Sequence, residues 1–93
     1  MLANILNPDG TVTEIRLHSN ESSRLRQLQD LVGGPIEGIP LADGRYMLIN
    51  ENGKDGVHLI NRMATDLAHA HESIMDTDYI AGTAVVLPKE VLE

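Results

Sequence analysis

The stretch 79-YIAGTAVVL-87 is apolar at odd and even positions alike, the pattern of a strand covered on both faces rather than half-exposed to water. Such a strand sits in the interior of a sheet. Gly82 within it implies the close approach of another backbone or helix, and Pro88 ends it because proline has no N–H to give to a ladder. Lys89 to Glu93 then read as a short tail. The rest of the chain must supply the neighbouring strands and the covering layers.

The first neighbours flank 7-NPDG-10. Asn suits the first position of a type I turn, Pro presets φ at the second, Asp fits the third, and Gly takes the left-handed geometry that follows, often as a bulge. Thr13, Ile15 and Leu17 alternate with Val12, Glu14 and Arg16, as a half-buried strand requires. The spacing predicts a hairpin with strands near 2–7 and 11–17, and NPDG is read as a bend rather than as a ligand-holding loop. A second hairpin lies in 35-PIEGIPLADGRYMLINENGKDG-56. Ile36, Ile39 and Leu41 precede an Asp43-Gly44 turn, and Tyr46, Leu48 and Ile49 follow it. Pro35, Gly38 and Pro40 place the strand over 36–41 at a sheet edge or a bulge. In the NGKDG cluster Asn52, Lys54 and Asp55 are expected to face solvent, and the cluster lacks the GxxxxGK-Ser/Thr pattern of a phosphate-binding loop.

Two helices complete the inventory. From Asn20 the period changes, and Leu25, Leu28, Leu31 and Val32 line one face of a helix over 21–32. Ser19, Asn20 or Ser22 can cap its start, Glu21 favours its positive end, and Gly33-Gly34 ends it. Arg24 and Arg26 are expected outward, neutralising Asp30 and nearby acids rather than forming a phosphate site. The second helix begins at the N-cap Asn61 and runs to about residue 75, with Met63, Ala64, Leu67, His71 and Ile74 in one arc. His69 and His71 are two apart, so they diverge on a helix and do not chelate one metal; helical His ligands stand three or four apart. Asp66, His69 and Ser73 share a side but form no hydrolytic triad, which needs an oriented, buried base and oxyanion donors. The order ββαββαβ describes an α+β fold, mainly an antiparallel sheet of about five strands packed with two helices, over a single domain 1–93.

Composition narrows the function. Phe, Trp and Cys are absent and the only aromatics are two tyrosines, Tyr46 and Tyr79. The core is therefore aliphatic, with no disulfide framework, thiolate nucleophile or zinc ribbon. Fourteen acidic against seven basic side chains give a formal charge of −7, which disfavours encounter with phosphate backbones, so direct nucleic-acid binding is not expected. No run approaches the roughly 20 apolar residues of a membrane helix and no basic leader opens the chain, so a cytoplasmic location is expected.

In the order ILNPDGTVTEIRL, LQDLVGGPIEGIPLADGRYMLINENGK, NRMAT and YIAGTAVVL, nearly the whole chain resembles a small family of domains of unknown function from bacteriophages, mobile elements and bacterial accessory genomes. The stretch 68-AHAHESIMDTD-78 is longer and more polar than that pattern. The resemblance implies a compact phage or accessory protein and carries no catalytic residue. Its polar cluster would comprise Asn61, Arg62 and Thr65 near the turn Asn50 to Lys54, with Asn61 also readable as a helix cap and Thr65 as packing.

Four function classes follow. The first expectation is a non-catalytic protein, with no cofactor and no metal, that modulates a host or defence protein through an acidic face or a sheet edge. The second is a protein that sequesters a small metabolite or signalling nucleotide through Asn61, Arg62, Thr65 and Tyr46, in a homodimer. A DNA-mimicking inhibitor would need carboxylates in rows, whereas here only Glu72, Asp76 and Asp78 cluster. An enzyme is the least favoured class, because no nucleophile–base pair or metal set stands out.

Overall fold

A computed structural model describes residues 1–56 and 58–89 of the chain. Its elements, in chain order, are β1 (Leu2–Leu6), β2 (Val12–Arg16), α1 (Glu21–Val32), β3 (Ile36–Pro40), β4 (Tyr46–Asn50), α2 (Arg62–Ala70) and β5 (Ala84–Leu87). This is the ββαββαβ order of an α+β fold. The five strands form one antiparallel sheet in the order β2-β1-β5-β4-β3, so the last strand of the chain is the middle strand of the sheet.

That position explains the two-faced apolar character of β5, all of whose residues are buried. Side chains alternate faces along a strand, and each face of β5 enters a different core. Val85 and Leu87 join Ala3, Ile5, Leu28, Val32 and Leu48 beneath α1. Ala84 and Val86 join Leu6, Met47, Ala64 and Ala68 beneath α2. The helices therefore cover opposite faces, and the small Ala64 and Ala68 let α2 lie close on the sheet.

The strand is shorter than the expected run over 79–87. Gly82 sits at φ 84°, a left-handed conformation that turns the chain out of the ladder. Residues 80–82 pair instead with the segment before α2. Ile60 bridges Ala81, the Asn61 N–H donates to Ile80 O, and the Gly82 N–H donates to Leu59 O. The close neighbour at Gly82 is the His58 side chain, 3.4 Å from where a Cβ would stand. The tail expected over 89–93 lies outside the described residues from position 90 onward.

Both hairpins close as the turn chemistry predicts. Gly10 N–H donates to Asn7 O and Asn7 N–H to Thr11 O; the second turn repeats this with Gly44 to Leu41 and Leu41 to Arg45. In each, the Asp before the glycine accepts from the residue after it. Asp9 takes the Thr11 N–H and hydroxyl, and Asp43 takes the Arg45 N–H and Nε. NPDG is thus a bend, and β3, with Pro35 and Pro40 at its ends, is an edge strand.

Helix α1 is capped by Asn20, whose side chain accepts from the Ser23 N–H, and it ends at Gly33. Leu28 and Val32 are buried and Leu31 packs beside them, but Leu25 is 52% exposed, against expectation. The middle of α1 is tied to the end of β2 by polar contacts instead: Gln27 donates to Arg16 O and accepts from the His18 N–H. Helix α2 stops at Ala70 rather than near residue 75. Glu72 takes φ 53°, its N–H donates to His69 O, and the Ser73 N–H reaches back to Ala68 O. This is a Schellman ending with Glu in the place glycine normally holds. No helix among the described residues is long and apolar enough to cross a membrane.

Candidate functional site

Asn61, Arg62 and Thr65 do come together at the start of α2, but two of the three are absorbed by the fold. Asn61 is fully buried. Its Oδ1 accepts from the Ala64 N–H at 3.0 Å, as an N-cap should, and its Nδ2 donates to Leu6 O at 2.8 Å and Gly82 O at 2.9 Å. It therefore joins α2, β1 and the approach to β5. Thr65 is buried as well; its hydroxyl accepts from the Ile80 N–H at 2.9 Å and faces Ile80 O at 3.4 Å. Arg62 is exposed. Tyr46 pairs with Pro40 and Leu87, which puts it on the α1 face, across the sheet from the other three. The four do not share a cleft. Asn50, at the end of β4, is likewise structural: its Nδ2 donates to Val32 O and its Oδ1 accepts from the Asn52 N–H.

A concavity lies on the α2 side of the β3–β4 edge, between those strands and the segment that follows α2. It is a cleft of about 750 Å³. Ile39, Ile49, Ile74 and Ile80 give it apolar lining, while Glu37, Glu51, Asp55, Glu72 and Asp78 bring carboxylates to it. Lys54 and Tyr79 complete one end. Local geometry explains why these groups meet. Gly53 is wedged beneath Ala81, where a Cβ would stand 2.9 Å from Ala81 O, so the turn carrying Lys54 is held against the segment carrying Tyr79. The left-handed Glu72 turns the chain out of α2, and Ser73 then donates its hydroxyl to Pro40 O at 2.6 Å on β3.

Among the described residues, the one ammonium that lines the cleft is already engaged. Lys54 Nζ pairs with the Asp78 carboxylate and stands 4.6 Å from the centre of the Tyr79 ring. The hydrogen bond from Lys54, helped by the Tyr79 N–H, holds the Asp78 carboxyl below its ordinary value of 3.8. The same hydrogen bond raises Lys54 above 10.5, with Tyr79 and Glu37 adding to it. Asp78 is anchored from both sides, since its carboxylate accepts from the Tyr79 N–H at 2.8 Å and its carbonyl meets His69 Nε2 at 2.9 Å.

The two histidines of the HAH pair diverge. While His69 turns toward Asp78, His71 Nδ1 accepts from the Ala42 N–H at 3.1 Å. Ser73 serves Pro40, so Asp66, His69 and Ser73 are not bonded as a relay. Among the described residues, no group of three His, Asp or Glu is arranged to hold a metal ion, and every buried side-chain N and O atom has a hydrogen-bond partner. Lys54 and Asp55 are exposed, as expected; the sequence placed Asp78 in a small carboxylate group and Tyr79 at the start of the last strand, but did not show that Lys54, Asp78 and Tyr79 meet. One signal was legible: a Lys in a turn and an Asp-Tyr pair at the start of an interior segment.

No curated protein and no solved structure matches the chain. Residues 1–90 match the model of a family described as a domain of unknown function, DUF3846, and the chain belongs to that family.

Proposed function

We propose that this protein acts by binding rather than by catalysis, and that its cleft receives a basic, extended segment of another protein. The observation that carries this reading is the lining: five carboxylates surround an apolar floor, and the single lysine among them is already paired. A ligand with positive charge and aliphatic surface is complementary to such a cleft, whereas a nucleotide phosphate would be repelled. Glu72 adds support. A non-glycine residue at φ 53° costs backbone energy, and such strain concentrates where a site needs a particular side chain.

The cleft also borders a usable strand edge. The Glu51 N–H donates to Pro35 O and the Leu41 N–H to Arg45 O, so by the alternation of antiparallel ladders the backbone groups of Ile36 and Gly38 point away from β4. A partner strand can pair there while its side chains reach the carboxylates. Resemblance to phage and accessory-genome proteins makes a host or defence protein in the cytoplasm the partner we favour.

A peptide array of extended basic, acidic and neutral sequences tests the proposal. Basic sequences should be retained, more weakly at high salt as charge is screened, and the double substitution Glu37→Gln, Glu72→Gln should reduce retention. Equal retention of all three classes sinks the idea. A rise in melting temperature with nucleotides, and none with basic peptides, would favour small-molecule sequestration instead.

A further inference from the structure

Lys54 runs against the charge of its surroundings, and the parts around it differ in how firmly they are held. Asp78 is fixed by its bonds to the Tyr79 N–H and His69, and Tyr79 leads directly into the buried Ile80. Gly53 is clamped between Asn50 O and Ala81 O. The Lys54 side chain itself is 47% exposed and, among the described residues, is held by the Asp78 carboxylate and the Tyr79 ring. A fixed carboxylate beside an aromatic face is an arrangement that recognises an ammonium group. Here a lysine of the chain itself fills it.

We propose that Asp78 and Tyr79 form a cradle for one lysine side chain of the partner segment, and that Lys54 is a built-in plug which the incoming lysine displaces. The inference rests on the cleft being the binding surface and names the group it recognises there. Exchanging one ammonium for another leaves the charge of the cradle unchanged. The displaced Lys54 remains near Glu51 and Asp55, neighbours on its own turn that also line the cleft. A lysine on an extended segment is the fitting occupant because the cradle closes one end of a cleft that runs along the free edge of β3. The plug lowers affinity for any single cation, so a stable complex requires the strand edge and the lysine together. That would discriminate an extended lysine-bearing segment from free amines and inorganic cations.

The test is an amide NMR titration of the full chain with a blocked pentapeptide carrying a central lysine, alongside its uncharged norleucine counterpart. With the wild-type protein the lysine peptide should shift the Gly38, Asp78 and Tyr79 signals and the norleucine peptide should not. Lys54→Met, which keeps the stem and removes the charge, should tighten lysine-peptide binding roughly tenfold, the combined scale of an exposed ion pair and a cation–π contact. Asp78→Asn retains an acceptor for the Tyr79 N–H and should abolish the tightening when combined with Lys54→Met. If Lys54→Met leaves affinity unchanged or weaker while the peptide still shifts the cleft, the plug is refuted and the cleft reading stands. Equal shifts from the norleucine peptide would refute ammonium recognition. Absence of cleft shifts from either peptide, with wild type and Lys54→Met alike, would remove both proposals.

Discussion

At the scale of single residues, Asn61 is the clearest case of a side chain whose chemistry serves the fold. Its role as an N-cap was legible because Asn followed by a periodic run is a helix start. Its second role was not, because the acceptors Leu6 O and Gly82 O lie 55 and 21 positions away in sequence and no local pattern encodes them. The two roles predict different mutational behaviour. Asn61→Ala should cost about 3–4 kcal/mol in urea unfolding, since it removes a cap and strands two buried carbonyls. Asn61→Asp would be harmless at an ordinary cap. Here it should destabilise at least as much as alanine, because a carboxylate oxygen would face both carbonyls. Arg62→Ala, one position on but exposed, should stay within about 0.5 kcal/mol of wild type. Near-neutrality of Asn61→Asp would show that the cap is the whole of the residue's contribution.

At the scale of elements, the strands and turns of the two hairpins were read nearly as they stand, since period-two alternation and the Asp-Gly turns are local signals, whereas the last strand keeps only Ala84–Leu87 of the run expected over 79–87. The errors share a cause: tertiary contacts overrode local preference. Leu25 fits the apolar arc of α1 but is exposed, and the helix is held near it by the Gln27 side chain, with packing beginning at Leu28. Residues 71–75 carry no helix breaker, yet α2 ends before them because Glu72 adopts the left-handed conformation. A stability–function conflict follows at that position. Glu72→Gly relieves the conformation that a Cβ disfavours and should raise stability by about 0.5–1 kcal/mol in chemical denaturation. The same change deletes a carboxylate from the cleft and should weaken retention of basic peptides. A destabilised glycine variant would mean that Glu72 is held by contacts that outweigh its backbone strain.

At the scale of the whole molecule, the formal charge of −7 was visible from composition and the grouping of Glu72 with Asp78 from their spacing, but their meeting with Glu37, Glu51 and Asp55 in one cleft was not, because those three lie on or just after the β3–β4 hairpin, distant in sequence. Several acids are also tied into local bonds, and this sets the response to pH. Asp9 is lowered by the Thr11 hydroxyl and N–H, Asp43 by the Arg45 N–H and side chain, and Asp78 by Lys54 and the Tyr79 N–H. A carboxyl whose folded value is depressed contributes stability that is complete above its unfolded value and is lost as pH falls through the folded one. Lys54 is raised, so its contribution is complete below 10.5 and is lost as pH climbs through its folded value. Between roughly pH 5 and 9 these four groups add no slope to stability. These groups should therefore leave the melting temperature measured by calorimetry unchanged from pH 7 to 5 and lower it below about pH 4, as the three carboxyls bind protons. The double variant Asp9→Asn, Asp43→Asn keeps the turns' shape but cannot titrate at those positions, so its acid limb should be shallower than that of wild type. An acid limb of unchanged steepness would mean that the two hairpin turns do not couple proton binding to folding, and that the loss of stability in acid originates elsewhere in the sheet.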